Sequence, residues 1–250
     1  MRLAGVMFLA ALASTEAAVT FTIQPAGSTP NSGDAYLYSA NANANFGNAG
    51  ALSVAGSSAP NGALASVLKF DLSAAKAAFD LAFGVNAWTL ASAAIQLTAV
   101  TPNNANFSPL NAGIVSVDWL VDDSWTETGI TWNGLSALLG GGTESMGNFS
   151  FNGSLGTTEY GLTMASGFLI DLQAGGISSF HLGAGDSDVS LVTNSRNFGT
   201  PMNRPALILT AVPEPGRLMT LLAGCALMTF RRQRLMNAAR SKFLPLTPGA

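Results

Sequence analysis

Apolar residues recur at alternate positions along this chain, in short runs that stop at Gly, Asn, Ser or Pro. In "SVLKFDLS" Leu68, Phe70 and Leu72 fall on one side. In "IVSVDWLV" Val115, Val117, Trp119 and Val121 do the same, as do Phe168, Ile170 and Leu172 in "GFLIDLQ". A period of two buries one face of a pleated strand and matches no helical stripe. Strands are therefore expected at 19–24, 35–39, 51–55, 66–72, 92–100, 113–121, 130–133, 167–173, 178–184, 189–194 and 206–211. Turn-rich intervals such as "NANANFGNAG" and "GLSALLGGGTES" separate them. Many short strands with regular punctuation predict an all-β fold, an antiparallel β-sandwich. One helix is expected at 73–83, "SAAKAAFDLAF", and no internal repeat stands out.

Composition agrees. Charged residues are 10% of the chain, against roughly 25% in ordinary soluble domains. Ser, Thr, Asn and the 27 glycines fill the polar and turn positions instead, which suits strands and turns better than amphipathic helices. The net charge of −3 hides an asymmetry. Between Val19 and Val212 there are 4 basic and 12 acidic residues, and the remaining cations sit at the two ends. An acidic body argues against a nucleic-acid partner, which needs Lys and Arg to neutralise phosphates. The single cysteine, Cys225, lies in a terminal apolar run, so the body has neither a disulfide nor a thiol metal site.

Both ends read as addresses. Met1-Arg2, an apolar run from Leu3 to Ala13 and small residues up to Ala18 describe a secretory signal peptide over residues 1–18. Cleavage is expected near Ala17 or Ala18, after export by the Sec machinery. Near the other end, Pro213 and Pro215 block helix and strand and leave an extended, accessible peptide. Leu218–Phe230 follows, an apolar run of 13 residues. As a helix it reaches roughly 20 Å, short of a hydrocarbon core about 30 Å thick. Arg231, Arg232 and Arg234 would hold its far end in the cytoplasm. A presented motif, a marginal span and a positive stop together form the logic of a processing signal.

Pro213-Glu214-Pro215, the apolar run and Arg231-Arg232 resemble the PEP-CTERM sorting signal, over residues 211–235. That resemblance implies an exosortase partner, transient residence in the inner membrane, and a Gram-negative host that makes extracellular polysaccharide. Residues 236–250 extend past the basic cluster, beyond where such tails usually stop, and their Arg240 and Lys242 suit the cytoplasmic side.

A second resemblance rests on ordered pieces of the body. These are "DAYLYSANANANFGNAGALSV", "ASVLKFDLS", "ASAAIQLTAV", "DDSWTETGITWN", "GFLIDL" and "TNSRNFGTPMNRPALILT". Together they resemble the DNRLRE-type domain, placed here over 19–210. The resemblance implies a jelly-roll-like sandwich similar to some carbohydrate-binding modules. It also implies a non-catalytic role on exported proteins, with polysaccharide binding in some members.

The candidate glycan contacts are Trp125, Glu127, Trp132 and Asn133. A sugar's C–H face stacks on an aromatic ring, and carboxylates and amides bind its hydroxyls. Trp125, in a polar turn, is the better ring contact. Trp119 and Trp132 fit core positions, and Glu127 has an alternative role as a cap for the turn before Ile130. Extracellular sandwiches without cysteine suit a structural Ca2+, for which Asp34, Asp186 and Asp188 are the candidate ligands. "GAGDSDV" lacks the remaining ligands of an EF-hand loop, and an exposed acidic turn is the competing reading. Arg196 and Arg204 are expected to pair with the body's acids. His181 is the only histidine and no G-x-S-x-G surrounds any serine, so no catalytic residue is assigned. The expected function is an exported surface or matrix protein that contacts polysaccharide. The alternatives are a ligand-free matrix protein or a polysaccharide-degrading enzyme using paired carboxylates.

Overall fold

The structure is a computed structural model and describes residues 17–25 and 31–214. In chain order the strands and helices are β1 (Val19–Ile23), β2 (Gly33–Tyr38), β3 (Ala51–Ala55), β4 (Leu64–Asp71), α1 (Ser73–Phe83), β5 (Trp88–Ala99) and β6 (Gly113–Leu120). Then come α2 (Trp132–Gly140), β7 (Thr143–Phe151), β8 (Gly156–Leu162), α3 (Ser166–Ala174), β9 (Ile177–Ala184), β10 (Ser190–Asn194) and β11 (Ala206–Pro213). All the pairings are antiparallel. One array runs β1-β11-β5-β8 and the other β2-β4-β9-β6-β7. The β3–β10 ladder joins them through single bridges, Thr193 to Ala99 on β5 and Ala55 to Leu64 on β4.

Both arrays contribute to one core, so the arrangement is sandwich-like and mostly β. Leu68, Phe70, Val115, Val117, Phe180 and Leu182 meet Ile95, Leu97, Leu207 and Leu209 there. The alternation read from the sequence sets this face, with one departure: Val121 is 54% exposed, because β6 has already ended at Leu120. The opposite face of β4 and β2 is covered too. Ala65, Val67, Ala35 and Leu37 pack under Leu135 and Leu138 of α2 and under Trp125.

Four local expectations are corrected. Residues 167–173 lie in helix α3, and of 130–133 the first two are irregular while Trp132 and Asn133 open helix α2. Phe168 and Leu172 are four apart, so a helix also puts both in the core, and Ile170 between them is 66% exposed. Short apolar runs fit both periods, and docking decides. Glu144 of β7 accepts the free N–H groups of Ser166 (2.6 Å) and Gly167 (3.2 Å), and Asp171 accepts the Trp119 indole N–H at 2.7 Å. Conversely, β7 and β8 arise where no strand is expected. A bulge at Met146-Gly147, with Gly147 at φ +94°, separates inward Met146 from inward Phe149 by three residues and hides the alternation. The fourth correction concerns Pro213. It continues β11 opposite Trp88, and the Glu214 N–H donates to Ala87 O at 3.1 Å, so the first two residues of the Pro-Glu-Pro stretch lie against the sheet.

Helix α3 sits on Trp119 through Gly167, where an added Cβ would come within 2.2 Å of the indole ring. We expect Gly167→Ala to destabilise the protein by about 1–3 kcal/mol through overpacking, despite alanine's better helix propensity. A urea midpoint equal to or above wild type would contradict that packing.

Candidate functional site

The segment "DDSWTETGITWN" is built into the body. Trp125 is 7% exposed. Its indole N–H donates to Ser179 Oγ at 2.9 Å, and Lys69 Nζ lies 4.6 Å from its ring centre. The same ammonium donates to Trp125 O (2.5 Å) and Asp123 O (2.7 Å), tying the loop to β4. Burial lowers the Lys69 pKa, opposed by the charges of Asp123 and Asp122. Burial also raises that of Asp123. The polar neighbours in sequence do not place Trp125 in water, and its ring faces are not offered to a ligand. Trp132 packs half-buried beside the leucines of α2, in line with a core role. Asn133 is exposed, and its amide donates to Asn43 Oδ1 at 2.7 Å.

Glu127 belongs to a buried polar centre that joins four stretches of chain. Its carboxylate receives Arg196 Nε at 2.5 Å on one oxygen and Arg196 Nη2 on the other. Such a forked pair is among the stronger hydrogen-bonded arrangements a protein makes. The Arg196 backbone N–H donates to Asp34 Oδ2 at 2.7 Å, linking β2 to the segment after β10. Asn45 Nδ2 donates to the carbonyls of Glu127 and Ile130, both at 2.7 Å, and Asn197 Nδ2 donates to Gly47 O at 2.8 Å. Gly47 must lack a side chain, since a Cβ there would lie 2.0 Å from the Glu127 carbonyl oxygen. Asp34 is fully buried and its Oδ1 has no hydrogen-bond partner among the described residues. Desolvation pushes its pKa up to about 7; the Arg196 N–H opposes this, and the Glu127 charge adds to it.

The expected ion pairing holds for Arg196. Arg204 instead donates to the Phe198 carbonyl at 2.8 Å. Asp186 accepts backbone N–H groups from Ile114 (2.5 Å), Val189 (2.7 Å) and Asp188 (3.0 Å), which hold its pKa down. It works as a turn-closing acceptor, and Asp188 receives the Ser187 hydroxyl. Asp34 shares neither turn. Among the described residues no three His, Cys, Asp or Glu side chains converge on one point. His181 Nδ1 lies 3.3 Å from Asp118 Oδ2 on the sheet face opposite Phe180 and Leu182. Of the tail residues, Pro213 and Glu214 are described, whereas Pro215, Arg231, Arg232 and residues 1–16 lie outside the described residues.

Beside the polar centre is an open cleft of about 340 Å³. Tyr36, Phe107 and Phe198 line it with the amides of Asn103, Asn104 and Asn194. Its floor has a signal that sequence reasoning passed over. The tetrapeptide Asn-Ala-Asn-Phe occurs twice, at 43–46 and 104–107. The two loops each bring their phenylalanine onto Tyr36. Phe46 stacks on that ring at 4.4 Å, and Phe107 meets it edge-on at 5.1 Å. Each loop has an asparagine that accepts the N–H two residues on, at different places in the tetrapeptide: the third residue, Asn45, from Gly47 at 3.1 Å, and the first, Asn104, from Asn106 at 2.9 Å. Such a short repeat has no period and pairs only through space.

No family model matches this chain, and no curated protein matches it.

Proposed function

We propose that this chain is an exported, non-catalytic β-sandwich protein of the cell envelope or extracellular matrix, sorted by an exosortase-type system and in contact with extracellular polysaccharide. The observation that carries this reading is the order Pro213-Glu214-Pro215, apolar run, Arg231-Arg232, paired with a leader-like start at Met1-Arg2. The body's geometry supports it. Val19 and Ala211 are direct partners across β1 and β11, so leader and tail leave from one end of the body. We read the two arrays as the jelly-roll-like sandwich of a DNRLRE-type domain, closing at Arg196 and Arg204.

The non-catalytic part of the reading is supported by how the carboxylates are used. Glu127, Asp171, Glu144 and Asp186 are each committed to internal donors. A ligand-free matrix protein is the second reading, favoured by the burial of Trp125 and the ion pairing of Glu127.

The test is to map the termini of the protein recovered from its native host by mass spectrometry after cell fractionation. The expected product starts near Val19, ends near Pro213 and is found in the envelope or medium. A full-length chain confined to the cytoplasm would overturn the proposal.

A further inference from the structure

We infer that the cleft between the 101–107 loop and the Asn194–Phe198 segment binds an uncharged saccharide unit. This inference rests on the extracellular, polysaccharide-facing location proposed above and assigns that contact to a site other than Trp125.

Four observations carry it. First, among the described residues no charged side chain lines the cleft, although the surrounding body has 12 acidic residues against 4 basic ones. An anionic polymer would be repelled by that field and would meet no counter-charge in the site. Second, the polar side chains of the lining are three amides and the hydroxyls of Tyr36 and Thr101. Asn194, 2% exposed, donates Nδ2 to Asn203 O at 3.1 Å, and its Oδ1 has no protein partner among the described residues. Asn104 uses Oδ1 on the Asn106 N–H and keeps its amino group, while Asn103 and Thr101 are exposed on the rim. Mixed donors and acceptors without charge match a row of sugar hydroxyls, each of which donates and accepts.

Third, Phe198 is half-buried in the wall and presents an apolar surface beside those amides. The C–H face of a pyranose packs on such a ring while its hydroxyls turn to the amides. Fourth, the site is held in shape before any ligand arrives. Arg196 is locked by Glu127 and Asp34 between Asn194 and Phe198, and Arg204 fixes the Phe198 carbonyl. The packing of Phe46 and Phe107 on the Tyr36 ring fixes the floor. Pre-formed walls lower the ordering cost of binding. A cleft of about 340 Å³ is at the small end of ligand sites, room for about one or two sugar rings.

The full chain, purified in detergent micelles, is run in native gels containing galactomannan, hydroxyethylcellulose or alginate. We expect retention in at least one of the two neutral gels and none in alginate. Phe198→Ala is expected to weaken that retention about tenfold, the loss of one stacked ring and its buried area. Asn103→Ala, at an exposed position with no hydrogen bond among the described residues, is expected to weaken it about threefold with an unchanged melting temperature. Ile170→Ser on α3 serves as a distant control and should bind as wild type does.

Neutral-glycan retention that survives both cleft variants would overturn the site while leaving polysaccharide contact elsewhere on the body. Retention in alginate alone would overturn the uncharged ligand class. No retention in any gel would overturn the inference, whereas the export proposal is decided separately by the mapped termini.

Discussion

Arg196→Ala is expected to lower the unfolding free energy by about 3–5 kcal/mol, the cost of leaving a buried carboxylate without its partner. Removing the guanidinium strips both Nε and Nη2 from Glu127, whose side chain is 9% exposed and cannot turn to water without moving its loop. Domains of ordinary stability hold about 5–15 kcal/mol in total, so the variant should be close to unfolding at moderate urea. Glu127→Ala should cost a similar amount, and the double variant much less than the sum, because neither charge is then stranded. Arg196→Lys should recover only part of the loss, since an ammonium cannot make the fork. Lys76 and Asp80 provide the contrast as an i,i+4 pair on α1. Lys76→Ala should leave the urea midpoint nearly unchanged. Urea unfolding of the full chain and these variants decides it, and an Arg196→Ala midpoint near wild type would remove the polar centre from the protein's stability.

The second large effect is a fall in stability as pH rises, traceable to Asp34. Its folded pKa is about 7 against an ordinary value of 3.8. Between those values the folded state keeps a proton that the unfolded chain releases. The contribution is therefore present in full below the unfolded value and is lost as pH rises through about 7. The span corresponds to at most about 4 kcal/mol. Asp123 and Asp171 are raised and act in the same direction, while Asp71, Asp122 and Asp186 are lowered and act in the opposite one. The difference between wild type and Asp34→Asn isolates the residue. Asparagine can still accept the Arg196 N–H, so we expect near-equal stability at pH 4 and a more stable variant at pH 8. A difference that does not change with pH would show that Asp34 ionises normally in the fold. The groups facing it are Glu127, Arg196 and Arg204, whose charges enter the same balance.

The alternation in "SVLKFDLS" and "IVSVDWLV" placed β4 and β6 and chose the faces that meet in the core, because a strand's side chains must alternate wherever one face is dry. The helix α1 was legible for a similar reason: Ala75 and Phe79, four apart, are its buried residues. The same logic misled at Phe168, Ile170 and Leu172. Residues spaced by two and by four satisfy strand and helix alike, and only the fit of Gly167 against Trp119 selects the helix. Strands β7 and β8 were illegible because one bulge breaks the first pattern, and the second is almost wholly exposed and has little apolar pattern to show.

For the site, the sequence named most of the residue types, the pairing of Arg196 with an acid and a core place for Trp132, but not which partners meet in space. Polar neighbours made Trp125 look wet, yet Lys69, 56 positions away, and Ser179, 54 away, bury it. The partnership of Asp34 with Arg196 spans 162 positions and that of Glu127 with Arg196 spans 69. No local pattern encodes either, since a hydrogen bond requires positions in space and the sequence gives only order along the chain. By itself the sequence determined an all-β body with an acidic balance and one well-placed helix, because periodicity and composition act locally. The tertiary structure alone decided which acids became structural, which tryptophan was covered, and that two Asn-Ala-Asn-Phe loops pack on one tyrosine beside an open cleft. Those outcomes depend on strand pairing, which brings residues more than a hundred positions apart within bonding distance.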